Sequence, residues 1–99
     1  MTDDRRTRPE DHWDEVSFVI RSKYRVTVLE QLNDGPATPS RIASYSNFSL
    51  SHVSRALQEL RDRGLVELLV SEQQRMGRLY GPTLRADEVW NTIEAEHLA

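Results

Sequence analysis

Apolar spacing divides this chain into helical stretches and a short extended region. With Val53 as the reference of a helical wheel, Leu50, Val53, Leu57 and Leu60 fall in one narrow sector, the stripe of a helix that faces a core. Ser51, Arg55, Gln58 and Asp62 lie opposite. Ser49 can cap this helix, predicted over 50–63, because its hydroxyl accepts from a free first-turn amide; Gly64 supplies the stop. Leu65 to Val70 is too short and too β-branched for another helix and is predicted as a strand. Arg78 to Gly81 is its partner, with Gly77 as the tight point of the intervening loop.

Upstream, Thr38-Pro39-Ser40 marks the start of a shorter helix, a hydroxyl cap followed by a proline that needs no amide partner. Ile42 and Ala43 form its inner face, the small Ala43 allowing close approach of the next helix. Asn47 occupies the turn between them, where a left-handed backbone is needed and asparagine tolerates it. Phe48, just before the Ser49 cap, is placed to staple onto Val53. Ser22 caps a helix over 23–33 with Val26, Leu29 and Leu32 on its stripe and Val28 widening it, ended by Asp34-Gly35-Pro36.

At the ends, Trp13, Val16, Phe18, Val19 and Ile20 favour a helix over 12–21, although the last three also suit a short strand. Thr83 caps a final helix over 84–98 with Val89, Trp90 and Ile93 apolar. Residues 1–11 are polar and without apolar period, which predicts a disordered arm preceding one domain over 12–99. The fold class is mainly α with a small antiparallel β-hairpin. Helix, tight turn, helix and hairpin in that order are the signature of a winged helix-turn-helix, whose solvent-facing second helix can enter a DNA major groove.

Composition bounds the function. Ninety-nine residues accommodate one domain, with no room for a separate ligand-binding domain. The absence of cysteine excludes disulfide frameworks and thiolate metal sites. No apolar run is long enough to cross a bilayer and the start lacks a signal-peptide core, so a cytoplasmic location with no membrane partner is expected. The net charge of −3 argues against a nucleic-acid partner until its distribution is considered. Residues 1–15 hold three arginines and six acids, and residues 83–99 one arginine and four acids; between 38 and 82, six arginines face four acids. The acid lies outside the motif. Lys23 is the only lysine against twelve arginines, a bias that, with the acid surplus, resembles proteins of salt-loaded cytoplasms, where a Debye length of ~3 Å near 1 M salt suppresses long-range steering.

The motif from Thr38 to Ala43, the run Ser49-Leu50-Ser51-His52-Val53-Ser54-Arg55-Ala56-Leu57 and the close Arg63-Gly64-Leu65-Val66 resemble the winged helix-turn-helix regulators of the MarR and ArsR type, especially short forms from halophilic archaea. Ser22-Lys23-Tyr24-Arg25 with Val28-Leu29 extends the resemblance, which covers about residues 22–82. It implies a DNA-binding transcriptional regulator in which Ser54 and Arg55 match positions that meet DNA, the hairpin carries a basic tip, and the terminal helices build a dimer. The thiolate and histidine metal sites of ArsR-type sensors find no counterpart.

Candidate DNA-binding residues are therefore Ser40, Arg41, Ser51, His52, Ser54, Arg55 and Gln58 on the two helices and Gln74, Arg75 and Arg78 in the wing at 71–78. Arg55 can fork onto a guanine edge, or else pair with Glu59 one turn on. Ser51, His52 and Ser54 suit phosphate or base edges, or serve as local caps. Arg75 and Arg78 suit phosphates, or are solvated loop charge that protects a sheet edge. The surplus of apolar residues in the terminal helices suggests a homodimer interface through Trp13, Val16, Val89, Trp90 and Ile93.

No Gly-x-Ser-x-Gly elbow or glycine-rich phosphate loop occurs, so no catalytic residue and no cofactor is assigned. Glu94-x-x-His97 has ligand-like spacing, yet two ligands make no metal site. The expected function is sequence-specific binding of double-stranded DNA, with helix 50–63 in the major groove and the effector, if any, unknown. The alternative is a winged-helix adaptor for protein partners, working through its acidic surface.

Overall fold

The computed structural model describes residues 9–70 and 77–99. Its elements follow in the order α1 (Pro9–Ile20), α2 (Lys23–Asp34), α3 (Pro39–Ser46), α4 (Leu50–Asp62), β1 (Val66–Val70), β2 (Leu79–Pro82) and α5 (Leu84–Ala95). Each helix from α2 onward starts where a hydroxyl residue predicts it. Ser22, Thr38, Ser49 and Thr83 are extended, and their side chains accept from the amides of Arg25, Arg41, His52 and Ala86. Asn47 ends α3 at φ 62°, the left-handed turn that separates the two motif helices. After α4, Gly64 adopts φ 75°; its amide donates to Arg61 O, and that of Leu65 donates to Leu60 O, both at 2.9 Å. This helix stop turns Leu65, fully buried, back into the core.

α1 begins at Pro9, ahead of the expected start at His12, with a proline in its first turn where the ring costs no hydrogen bond. The rest of the polar arm, residues 1–8, lies outside the described residues, as does the wing loop 71–76. α5 is shorter than expected: His97 takes φ 56° beyond its end, so Glu94 and His97 do not sit one helical turn apart.

The sheet pairs Val66 with Pro82, Glu67 with Gly81 and Leu68 with Tyr80, then slips so that Val70 opposes Leu79. A third stretch joins it unannounced by the apolar pattern. Ala37 and Tyr80 exchange two backbone hydrogen bonds of 3.0 and 2.9 Å, so the turn after α2 holds the wing against the motif.

α2 is the central helix, touching α1, α3, α4, α5 and β2. Its buried residues are Val28, Leu29 and Leu32; Val26, expected on the stripe, lies at its half-buried edge. Around them close Val16 and Val19 of α1, Ile42 of α3, Val53, Ala56, Leu57 and Leu60 of α4, and Ala86, Val89, Trp90 and Ile93 of α5. Two expectations are corrected here. Leu50, assigned to the core stripe, is 52% exposed, because the first residue of a helix at the stripe's edge has no preceding turn to cover it. Val16, Val89 and Ile93 are 1% exposed and Trp90 5%, so these residues, expected at a dimer interface, close the domain's own core; of the five, Trp13, at 50%, is the one left exposed. The apolar surplus of the terminal helices is what a domain this small needs to complete one core.

Thr83 joins three elements. It caps α5, and its hydroxyl donates to Gly64 O at 2.7 Å, tying the exit of the wing to the end of α4. Thr83→Ala is expected to lower stability by about 1–2 kcal/mol, the sum of a lost cap and an unmet carbonyl. Urea unfolding midpoints check this, and Thr83→Ser should restore most of the loss.

Candidate nucleic-acid interface

The face of α4 that the wheel set opposite the core is open to solvent: Ser51, Arg55, Gln58 and Asp62 are all exposed. Its two flanks are braced differently. Toward α2, His52 stacks on Tyr24 with ring centroids 4.4 Å apart, and Glu59 accepts from Arg25 Nε at 3.1 Å. Toward α3 and the wing, Ser54 and Gln58 join Ser40 and Arg78 around a cleft of about 360 Å³, with Leu50 and Tyr80 in its lining. Four of the candidate residues, from α3, α4 and the stretch leading into β2, thus surround one depression beside the exposed face.

The others diverge. Arg41 lies over the Tyr45 ring, 5.6 Å from its centroid, and lines a different hollow beside Asp34 and Pro36. Ser51 Oγ is 3.2 Å from Ser49 Oγ, at the capped first turn. Gln74 and Arg75 lie outside the described residues. Gly77, at φ 84°, takes the left-handed conformation expected of the loop's tight point.

The charge distribution along α4 follows from these contacts. Glu59 is neutralised by Arg25 instead of by Arg55, so the intrahelical pair weighed from sequence does not form. Arg55 consequently has no ion-pair or hydrogen-bond partner among the described residues. Toward the far end, Gln58 Nε2 donates to Asp62 Oδ1 at 2.9 Å. The first two turns therefore present hydroxyls and an uncommitted guanidinium, while the last turn carries the acid.

Sequence spacing missed two contributors. Leu50 was hidden by its place on the stripe, yet its side chain is exposed and lines the same cleft as Ser54. Tyr24 entered only through the extended resemblance, and no spacing placed it beside the start of α4, since its partners Phe48 and His52 are distant in sequence; Phe48, packed against the core, meets Tyr24 edge-on at 4.8 Å.

The remaining polar anchor is Glu15 on α1, 6% exposed. Its oxygens accept from Arg63 Nη1 at 3.1 Å and Arg85 Nη2 at 3.0 Å, joining α1 to the end of α4 and the start of α5. Arg63 and Arg25 both approach the Phe18 ring, at 4.1 and 3.9 Å, and Arg25 Nη1 donates to Phe18 O at 2.6 Å. These contacts hold the C-terminal end of the exposed helix. Among the described residues no helix is long and apolar enough to cross a membrane.

The sequence model of the HVO_A0261 N-terminal domain family matches residues 13–77. No curated protein matches the chain significantly. Among solved structures, NMB1585, a MarR family regulator from Neisseria meningitidis, superposes with a TM-score of 0.69 at 22% identity, over 89% of this chain and 61% of that one. A MarR family protein from Enterococcus faecalis V583 gives 0.76 at 12% identity, over 97% and 88%. The homodimeric winged helix-turn-helix DNA-binding domain (fragment 1–100) of Mb0332 from Mycobacterium bovis, a possible ArsR-family transcriptional regulator, gives 0.68 at 24% identity, over 98% and 91%. The chain thus spans 61% of the Neisseria regulator's length, and identities this low speak to the fold alone. Because the family match runs from Trp13 in α1 to Gly77 and takes in the whole of α2, α3, α4 and β1, this chain belongs to the HVO_A0261 N-terminal domain family, on the winged helix-turn-helix fold seen in MarR and ArsR family proteins.

Proposed function

We propose that this protein is a transcriptional regulator that binds double-stranded DNA sequence-specifically as a homodimer, through the first two turns of α4. The observation that carries this reading is the uncommitted Arg55 on an exposed helical face whose reverse side is locked into the core. A recognition helix docks by its N-terminal residues, and here those residues hold the hydrogen-bonding and basic groups while the acid sits at the far end. Ser51, Ser54, Arg55 and Gln58 read base edges, with Leu50 against a thymine methyl. Ser40 and the wing residues Gln74, Arg75 and Arg78 hold the backbone, which sets register without reading sequence.

The homodimeric state of the Mb0332 domain supports a two-fold assembly here. Trp13, Leu84 and Leu98, the large apolar residues left exposed on or beside the terminal helices, are its contact surface. Two-fold symmetry then demands a near-palindromic site with half-sites about one helical turn, ~34 Å, apart.

Selection of bound duplexes from a random pool, at low and high salt, tests the reading. A motif of two inverted half-sites at that spacing is the expected result, with sedimentation showing a dimer at micromolar concentration. Recovery of DNA without sequence preference removes specificity, a monomer removes the assembly, and failure to retain any duplex favours the adaptor role.

A further inference from the structure

The cleft with Ser40 and Arg78 borders only one flank of α4; the opposite flank leans on the start of α2. There His52 stacks on Tyr24, their planes 25° apart, and Phe48, the residue before the Ser49 cap, closes edge-on against the same ring. Lys23 Nζ lies 5.4 Å from the Tyr24 centroid and 6.0 Å from that of Phe48, so cation–π attraction holds this ammonium beside the start of α4. The neighbouring Arg25 is already engaged by Glu59, by Phe18 O and by the Phe18 ring. Lys23 is exposed and has no carboxylate partner among the described residues.

A helix with its side chains is about 10–12 Å across and the major groove about 12 Å wide, so a helix seated there meets both phosphate walls. The cleft side of α4 faces one wall. We propose that Lys23 contacts a backbone phosphate on the other, with Tyr24, Phe48 and His52 as the rigid seat that aims it. This rests on the DNA-binding reading of α4 and extends the interface onto α2.

Lys23→Gln and Lys23→Arg in the full chain, titrated across a salt series with a fluorescent duplex of selected sequence and an unrelated one, test it. One phosphate contact contributes about 0.9 to the slope of log K against log salt, so Lys23→Gln should lower the slope by that amount per bound protomer on both duplexes. Lys23→Arg should keep the parent slope, base preference should be unchanged, and thermal melting should not move because Lys23 is on the surface. A parental slope in Lys23→Gln, or a change confined to one duplex, overturns the second-wall contact and leaves the α4 reading standing. A parent protein that binds neither duplex overturns both.

Discussion

Arg55→Ala is expected to weaken binding at the preferred sequence by about 1–3 kcal/mol, roughly five- to 150-fold, while affinity for unrelated duplex changes far less. The asymmetry follows from what a guanidinium does at a base edge. Its planar fork donates two parallel hydrogen bonds to guanine O6 and N7, and no other base pair presents both acceptors in that geometry. Arg55 starts from solvent with no partner to surrender among the described residues, so the substitution should leave folding intact and report on recognition alone. Arg75→Ala in the wing should behave oppositely, weakening every duplex alike and flattening the salt slope by about one unit, as a phosphate contact does. Competition binding with matched and scrambled duplexes separates the two. If neither change alters DNA retention, the exposed face of α4 serves a protein partner instead.

Glu15→Ala should destabilise the domain by about 2–3 kcal/mol, a large share of the 5–15 kcal/mol typical of a domain. Two charge-assisted hydrogen bonds are lost, each worth about 1.5–3 kcal/mol in a buried setting. The total is discounted because Arg63 and Arg85 keep 42% and 33% of their side-chain surface in water, so neither cation is stranded when the carboxylate goes. Glu15→Gln keeps an acceptor for one arginine and should cost about half as much. Urea unfolding measures both, and an unchanged midpoint for Glu15→Ala refutes the anchoring role. Since Arg63 closes α4 and Arg85 opens α5, the loss should also loosen the terminal helices first, visible as faster amide exchange in α1.

Most helix boundaries were legible because their chemistry is local. Ser22, Thr38, Ser49 and Thr83 each satisfy an amide three residues on, and Asn47 and Gly64 tolerate the left-handed turns that stop a helix. The exposed face of α4 was legible for the same reason, since helical periodicity alone opposes Arg55 to Val53. Leu50 shows where periodicity fails: a wheel assigns direction but knows nothing of whether a preceding turn exists to cover the first residue of a helix. Trp90 shows the converse failure, because apolar surplus does not say whether a side chain closes its own core or seeks another subunit.

What the amino-acid order determined unaided is therefore the succession of elements, their caps, and the polar face that α4 turns outward, each the product of groups within a few residues of one another. Only the tertiary structure decided that Glu59 pairs with Arg25 and so leaves Arg55 uncommitted, that Ser40, Ser54, Gln58 and Arg78 share a cleft, and that Glu15 is clasped by arginines 48 and 70 positions away. Those contacts join residues whose spacing along the chain carries no periodicity, and their partners are chosen by which surfaces packing leaves adjacent.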